Sequence, residues 1–284
     1  MVSQDPLESR SGIVTLLTDF GESDAYAGVM KGVILARAPG AQIVDLTHQV
    51  VPQAVAQAAF LLETAWRFFP PGTVHVVVVD PGVGTVRRRL AVSAGGHFFV
   101  GPDNGVLSAA LPEVARGYRS SAEGYRVRQL SLPAGVSGVA VENETLFLQP
   151  MSATFEGRDV FAPAAAHLAS GGVSSDLGPE MDEMAAFAAF RAPVVAGRIN
   201  GLVLRADRFG NLITDIVAED LATKPVFTVA GLRLELARTY ADAAGPLAII
   251  GSSGRIEIVV SNGSAALVLG AGPGDRVVAT ASRS

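Results

Sequence analysis

The stretch from Val74 to Leu90 constrains the fold of this chain more than any other. It opens with V-H-V-V-V-V, a run of β-branched residues typical of a strand buried on both faces. The strand must end at Asp80, because Pro81 has no N–H for a ladder and the glycines after it permit a sharp turn. In open α/β sheets, ligands bind at the carboxyl ends of such strands. The same residues also fit an ordinary Asp-Pro-Gly turn, so this stretch alone leaves both interpretations open.

Two strand–helix units precede this strand. An apolar strand is predicted over 13–18, and a helix with apolar residues at helical spacing over 25–38, with Asp24 as its N-cap. A second strand over 42–46 leads to an Ala-rich helix over 53–69. Alternating strands and helices indicate parallel strands joined by right-handed crossovers. We therefore predict an N-terminal α/β domain with a mostly parallel sheet.

Carboxylates follow two of these strands directly. Because parallel strands end on the same edge of a sheet, we expect Asp19, Asp24 and Asp80 to converge there. Three carboxylates on one rim favour a site that receives a cation or a polyol. A hairpin over 88–100 then leads to G-P-D-N-G at 101–105, which is a candidate for a fourth polar contact on the rim.

The pattern changes near Val194. Short β-rich runs separated by Gly and Asp turns predict a small all-β barrel or sandwich. We predict an α/β domain over 12–170, a linker over 171–193 and a β-barrel domain over 194–284. The predicted strands of the second domain are 201–205, 212–217, 226–229, 232–236, 247–250, 255–260, 265–269 and 276–280.

Composition excludes several classes of function. The net charge of −5 argues against a nucleic-acid partner, and no apolar run approaches the roughly 20 residues that span a membrane. With no cysteine, the chain forms no disulfide and fits a cytoplasmic location. The four histidines are far apart in sequence and include no pair at helical spacing, so we expect no metal site.

Five motifs together resemble one known family. The chain is similar to the S-adenosylmethionine (SAM) hydroxide adenosyltransferases, often called SAM hydrolases, which are related to the SAM-dependent fluorinase and chlorinase. The motifs occur in family order along nearly the whole chain, and it is their combination that is specific. They read L-L-T-D-F-G-E-S-D-A-Y (16–26), V-D-P-G-V-G-T-V-R (79–87), G-P-D-N-G (101–105), T-F-E-G-R-D-V-F-A-P (154–163) and D-R-F-G-N-L-I-T-D-I (207–216).

The resemblance implies an architecture and a reaction. The architecture is an N-terminal α/β domain, a C-terminal β-barrel and a homotrimer, with SAM bound between the N-domain of one subunit and the C-domain of its neighbour. The reaction is attack of water or hydroxide on the ribose C5′ of SAM, which releases adenosine and L-methionine. SAM is then the substrate, and no cofactor is expected.

The resemblance also implies roles for individual residues. Asp80 and Arg87 match two members of a catalytic Asp-Arg-His set that orients and activates the water. The implied substrate contacts are Asp19 to the ribose hydroxyls, Asp24 and Asp207 to the methionine ammonium, Ser253 to its carboxylate, Phe209 and Tyr240 to the faces of adenine, and Asn211 and Gly263 to its edge.

One position departs from the family pattern. The third catalytic residue, a histidine, should fall within T-F-x-G-R-D, and here that position is Glu156. A second carboxylate near Asp80 would push one of the two pKa values up, unless Arg87 offsets the repulsion. We expect Glu156 to face the site as the third catalytic residue. The alternatives are a non-catalytic or very slow SAM or adenosine binder, motivated by Glu156, and a SAM-dependent halogenase, which a carboxylate at position 80 disfavours.

Overall fold

The computed structural model describes residues 10–120, 124–242 and 245–281. The chain divides into two compact units. Unit 1 comprises the described residues up to Arg116 together with Val127–Phe187, and unit 2 comprises Gly117–Arg126 together with the described residues from Ala188 onward. Among the described residues, no helix is long and apolar enough to cross a membrane.

Unit 1 is an α/β domain. Its strands are β1 (Ile13–Thr18), β2 (Gln42–Thr47), β3 (Val74–Val78), β4 (Arg89–Ala94), β5 (His97–Pro102), β6 (Val127–Ser131), β7 (Val136–Ala140), β8 (Glu180–Met181) and β9 (Glu183–Phe187). Its helices are α1 (Tyr26–Arg37), α2 (Val55–Ala65), α3 (Glu113–Arg116) and α4 (Ala162–Ala169). Seven strands form one sheet in the order β2-β1-β3-β5-β4-β7-β8, and β6 pairs with β9. The neighbours β2, β1, β3 and β5 are parallel, as predicted, and β4 and β5 form the predicted antiparallel hairpin.

The strand β3 lies inside this sheet, between β1 and β5, and is buried along its whole length. Its side chains alternate between two hydrophobic cores. Val74, Val76 and Val78 pack in the core that also contains Met30 of α1, whereas Val77 packs in the core that contains residues of α2. Burial on both faces explains why the strand is apolar at every position except His75, rather than alternating.

Three local predictions differ from the structure. Asp24 does not cap α1, because the helix begins at Tyr26 and its N-cap residue Ala25 makes no side-chain bond. The second helix begins at Val55, not at Gln53, whose left-handed φ of 67° is incompatible with a helix. The segment 171–193, predicted as a linker, contains β8 and β9.

Unit 2 is an antiparallel barrel-like sheet. Its strands are β10 (Val194–Val195), β11 (Arg198–Ala206), β12 (Leu212–Val217), β13 (Pro225–Val229), β14 (Leu232–Glu235), β15 (Pro246–Ile250), β16 (Arg255–Val260) and β17 (Arg276–Ala281). The order is β14-β13-β17-β11-β12-β16-β15, with β10 paired to β11. An isolated bridge between Leu236 and Ala248 brings the two ends of the sheet together. The two-domain architecture predicted from the sequence is therefore confirmed.

The predicted strand over 265–269 is wrong. These residues form a short helix, α5 (Ala265–Leu269). The Ser264 side chain accepts a hydrogen bond from the Leu267 N–H at 3.2 Å, and Gly270 ends the helix in a left-handed conformation with φ of 58°. An N-cap serine and a C-terminal glycine outweigh the apolar run between them.

A chain of buried polar groups crosses β1, β3 and β5. His75 is fully buried, and its Nδ1 lies 2.8 Å from the Thr15 hydroxyl. Its Nε2 lies 3.1 Å from Nδ1 of His97, and the two rings stack at 5.3 Å. Burial, with the neighbouring His97 as the second cause, lowers the pKa of His75 to about 3.

Acidification is expected to destabilise unit 1 through His75. An unfolded chain takes up a proton on this ring near pH 6.5, whereas the folded chain does so only near its lowered pKa. The free energy of unfolding therefore falls as the pH drops below 6.5, by about 2 kcal/mol at pH 5. Urea unfolding of His75→Gln should show a flatter acid dependence than the unmodified chain, and His167→Gln, at a partly exposed ring, should keep the original slope. Equal slopes for all three proteins would contradict this account.

Candidate active site

The first cavity of interest lies in unit 1, at the carboxyl ends of β1 and β3, and has a volume of about 330 Å³. Asp19 directly follows β1, and Asp80 follows β3 by two residues. Because β1 and β3 are parallel neighbours, both carboxylates lie on the same edge of the sheet. The lining residues are Asp19, Phe20, Pro52, Gln53, Val78, Asp80, Pro81, Val83, Thr154, Phe155, Glu156 and Gly157.

Asp80 is fixed by the loop that follows it. Its Oδ1 accepts hydrogen bonds from the Gly82 N–H at 3.2 Å and from Nε of Arg87 at 2.9 Å, and its Oδ2 accepts one from Nη2 of Arg87. The loop turns sharply at Gly84, where φ is 77° and a Cβ would lie 2.7 Å from the carbonyl oxygen of Ala153. Because of this turn, the Arg87 side chain lies against the carboxylate of Asp80, seven residues earlier in the sequence.

Glu156 faces the same cavity, as the sequence predicts. It lies at the start of a π-helical turn over Gly157–Phe161, and only 4% of its surface is exposed. Its Oε2 pairs with Nη2 of Arg87, which thus bridges the Asp80 and Glu156 carboxylates. Its Oε1 accepts hydrogen bonds from Nε and Nη2 of Arg89 at 2.9 and 2.6 Å.

The two arginines set the charge state of this cluster. Burial alone would raise the pKa of the Glu156 carboxyl, but hydrogen bonds from Arg89 and Arg87 outweigh burial and hold that pKa below its ordinary value. Burial likewise opposes the charge on Arg87, and hydrogen bonds to Asp80 and Glu156 outweigh it and raise the pKa of the guanidinium. Glu156 is therefore a carboxylate at neutral pH and acts as a hydrogen-bond acceptor.

The other two predicted carboxylates of this unit behave differently from each other. Asp19 lines the cavity, and its Oδ2 accepts a hydrogen bond from the Gln53 N–H at 2.7 Å. Gln53 itself has a left-handed backbone conformation, with a φ of 67°. Asp24 is exposed and is not among the residues that line the cavity, so the expected convergence of three carboxylates reduces to Asp19 and Asp80.

A second cavity, of about 670 Å³, lies in unit 2. The four residues that the family resemblance places around adenine all line it: Phe209, Asn211, Tyr240 and Gly263. The Phe209 side chain is 76% exposed, and Tyr240 is 45% exposed. Two open aromatic faces beside an amide side chain suit the stacking and edge recognition of a planar base. The remaining lining residues are Val260, Ser261, Asn262 and Ser264.

Asp207 organises the loop that carries Phe209 and Asn211. Its Oδ1 accepts hydrogen bonds from the backbone N–H groups of both residues, at 2.8 and 2.9 Å. Its Oδ2 accepts one from Nδ2 of Asn211 at 3.0 Å. Gly210 adopts a φ of 83° between them, which a residue with a side chain rarely allows. Asp207 does not line the second cavity and bonds mainly to its own loop.

Ser253 lies in an exposed turn over 251–254, also outside the residues that line the second cavity. Beside this turn is Glu257, a buried carboxylate that the sequence analysis did not single out. A Cβ on Gly251 would lie 1.8 Å from Glu257 Oε1, so the carboxylate occupies the space above that glycine. Burial, with the Asp207 charge as the second cause, raises the pKa of Glu257.

Both units match profiles of one protein family. Residues 14–178 match the SAM hydroxide adenosyltransferase N-terminal domain, and residues 201–278 match the SAM hydroxide adenosyltransferase C-terminal domain. The chain belongs to this family. The resemblance drawn from the five sequence motifs is thereby confirmed.

Several known proteins are similar to this chain over nearly their whole length. An (R)-S-adenosyl-L-methionine hydrolase from Thermus thermophilus is 40% identical over 261 residues, which cover 90% of this chain and 95% of the relative. One of the same name from Salinispora arenicola is 37% identical and covers 94% and 97%. A fluorinase from an Actinoplanes species is 27% identical and covers 87% and 90%.

Solved structures agree with this membership. A structure described as an uncharacterized conserved protein from Thermotoga maritima superimposes with a TM-score of 0.80 at 33% identity and covers 94% of this chain and 99% of that one. A conserved hypothetical protein from Thermus thermophilus gives a TM-score of 0.73 at 36% identity, covering 95% and 100%.

The sequence analysis missed some of the residues that shape the site. Arg89 and Gln53 bond to predicted site carboxylates, yet each looks like an ordinary surface residue in the sequence.

The motif G-P-D-N-G at 101–105 does not add a polar contact to the cavity wall. Instead, Asn104 donates to the carbonyl oxygen of Val79 at 2.9 Å, and Asp103 accepts from Nε of Arg88 at 2.8 Å. Asn104 thus fixes the backbone at Val79, the residue immediately before Asp80.

Proposed function

We propose that this protein hydrolyses SAM to adenosine and L-methionine by attack of water or hydroxide at the ribose C5′. The observation that carries the proposal is the cavity at the ends of β1 and β3, where Asp80 and Glu156 line the wall and Arg87 links them. Relatives at 40% and 37% identity that are named (R)-S-adenosyl-L-methionine hydrolase support the same reaction.

The proposed reaction depends mainly on alignment. The sulfonium of SAM is already a good leaving group, so a well-placed oxygen nucleophile is the principal requirement. Asp80 accepts a hydrogen bond from the attacking water and takes its proton as the C5′–O bond forms. The C5′–S bond breaks in the same step, and its electron pair returns to the sulfur of methionine. No metal ion or redox cofactor is proposed, because a cationic leaving group needs no Lewis acid and the carbon is not oxidised.

Substrate binding is proposed to follow the family pattern. Asp19, already fixed by the Gln53 N–H, accepts the two ribose hydroxyls. The acidic wall also suits a substrate that carries a sulfonium and an ammonium. The proposed contacts in unit 2 are Phe209 and Tyr240 to the faces of adenine, Asn211 and Gly263 to its edge, and Asp207, together with Asp24 of unit 1, to the ammonium, with Ser253 at the methionine carboxylate.

Incubation of the purified protein with SAM, followed by chromatography, tests this function. We expect adenosine and methionine in equal amounts, without added metal and after chelator treatment. The second candidate function, a SAM or adenosine binder without chemistry, is motivated by Glu156. That candidate is correct if calorimetry shows SAM binding while no adenosine forms over a long incubation.

Halide is not expected to replace water. The cavity wall carries the carboxylates of Asp19, Asp80 and Glu156, and the guanidinium of Arg87 is already engaged by two of them. A halide ion would lose its hydration without gaining a free cationic partner there. SAM supplied with fluoride or chloride should therefore yield adenosine and no 5′-halogenated product, with a fluorinase assayed in parallel as the positive control. Detection of 5′-fluoro- or 5′-chloro-5′-deoxyadenosine would overturn this expectation.

We also propose that the active form is a homotrimer whose sites each draw on two subunits. Support comes from the distribution of the predicted site residues, since Asp19 and Asp80 lie in unit 1 whereas Phe209 and Asn211 lie in unit 2. Mixing an Asp19→Ala variant with an Asn211→Ala variant under subunit exchange should restore part of the activity. No recovery after demonstrated exchange would count against shared sites.

A further inference from the structure

Arg89 has a single acidic partner among the described residues, and that partner is Glu156. Its Nε and Nη2 both bond to Glu156 Oε1, at 2.9 and 2.6 Å. Its guanidinium lies 5.7 Å from the ring of Phe147, and its side chain is 26% exposed. Arg89 is not among the residues that line the cavity, whereas its partner Glu156 is.

The four side chains form a row of alternating charge. Asp80 bonds to Arg87, Arg87 bonds to Glu156, and Glu156 bonds to Arg89. Both carboxylates are nearly sealed from solvent, with side-chain exposures of 5% each. Two carboxylates and two guanidiniums sum to zero charge. Without Arg89 the buried cluster would carry two anions and one cation, and in such a cluster one carboxyl tends to keep its proton.

The remaining charged groups near Glu156 do not take over this role. Arg158 and Asp159, which follow it on the π-helical turn, pair with each other at 2.6 and 2.9 Å. Asp19 lines the same cavity but is an anion and would add to the repulsion. Among the described residues, Arg87 and Arg89 are therefore the two cations that bond to Glu156.

We propose that Arg89 is a positioning residue of the proposed hydrolytic site, holding Glu156 as a fixed anion so that Arg87 stays clamped on Asp80. Glu156 is then not a proton acceptor that stands in for a histidine. It is an anchor for Arg87, and Asp80 is the carboxylate left to accept the proton of water. The anionic state of Glu156 therefore depends on its hydrogen bonds from Arg89 as well as on the one from Arg87.

The role of Arg89 can be measured without an activity assay, from the pKa of Glu156. In the full-length protein labelled with ¹³C at the Glu side-chain carboxyls, NMR titration should place Glu156 below its ordinary pKa, with the signal assigned by its loss in Glu156→Gln. Arg89→Met should raise that pKa by about one unit or more. Arg89→Lys keeps the positive charge but cannot form the two-point bond of a guanidinium. The Glu156 pKa in this variant should lie between those of the unmodified protein and of Arg89→Met. Arg88→Met, at the neighbouring arginine that pairs with Asp103, is the matched control and should leave Glu156 unchanged.

The pH profile of kcat/KM provides the second readout. In Arg89→Met the acid limb should move to higher pH by a similar amount, whereas a merely structural role would lower activity equally at every pH. The double variant Arg89→Met, Glu156→Gln should return the acid limb towards its original position, because cation and anion leave together. An unchanged Glu156 titration in Arg89→Met would overturn the proposal even if SAM is hydrolysed. Absence of hydrolysis with a shifted titration would instead contradict the proposed function alone.

Discussion

Replacing Arg87 with methionine is expected to lower the turnover of SAM by about 10³-fold, within the range of general-base and electrostatic contributions. Its guanidinium is the cation that lies between Asp80 and Glu156, and its side chain is only 11% exposed. Methionine has a similar length but carries no charge. The two carboxylates would then repel each other in a buried site, and one of them would take up a proton.

The binding of SAM should change much less than turnover in Arg87→Met. Asp19 is held by the Gln53 N–H and not by Arg87, and the aromatic cavity lies in the other unit. Rapid-quench measurement of adenosine, together with calorimetry of SAM binding, separates the two effects. Arg88→Met is the matched control, because the Arg88 guanidinium pairs with Asp103 at 2.7 Å and does not line the cavity. Turnover within tenfold of the unmodified protein would show that Arg87 does not organise the site.

Replacing Asp215 with alanine is expected to reduce the free energy of unfolding of unit 2 by about 3–5 kcal/mol. The Asp215 carboxylate is fully buried and accepts four hydrogen bonds. Its Oδ2 accepts from Nε and Nη2 of Arg119 at 2.9 and 2.7 Å and from the Tyr125 hydroxyl at 2.8 Å. Its Oδ1 accepts from the Leu202 N–H at 2.7 Å. Removing this carboxylate deprives the buried Arg119 guanidinium of a charged partner.

The Asp215→Ala variant should also loosen the chain at Arg119 and at Tyr125, whose side chains bond to Asp215 in the barrel strand β12. Trypsin should then cleave after Arg119 faster than in the unmodified protein, in addition to the shift in the urea midpoint. Asp220→Ala is the control, since Asp220 makes a two-point pair with Arg191 but is partly exposed, and its loss should cost much less. Similar losses of stability for the two variants would contradict the importance assigned to the buried carboxylate.

The sequence predicted the fold where local pattern and burial agree. The strand β3, which is apolar except for His75, requires a sheet that is covered on both faces. The structure shows this strand buried along its whole length. Prediction failed where a few polar contacts decide the conformation. The residues 265–269 are a short apolar run of A-A-L-V-L predicted as a strand, but Ala and Leu favour a helix and the Ser264 cap and Gly270 bound it.

The site could be predicted where a residue's role follows from its position in a strand or a motif. Asp19 and Asp80 were placed by the ends of two parallel strands, and Glu156 by its place in T-F-x-G-R-D. Arg89 could not be found in this way, because its partner is 67 residues away in the sequence and only the folded chain joins them. Asp24 shows the limit of the strand-end argument, since it lies further along the loop after β1 and is not among the residues that line the cavity.

Hydrolysis of SAM in ¹⁸O-labelled water, with mass spectrometry of the products, tests most directly whether this chain transfers the adenosyl group to water. We expect adenosine that carries one ¹⁸O atom at its 5′-hydroxyl, and unlabelled L-methionine in equal amount. Arg87→Met should form the same labelled product far more slowly. Failure to form adenosine under conditions in which SAM binds, or adenosine without the label, would contradict attack by water at C5′.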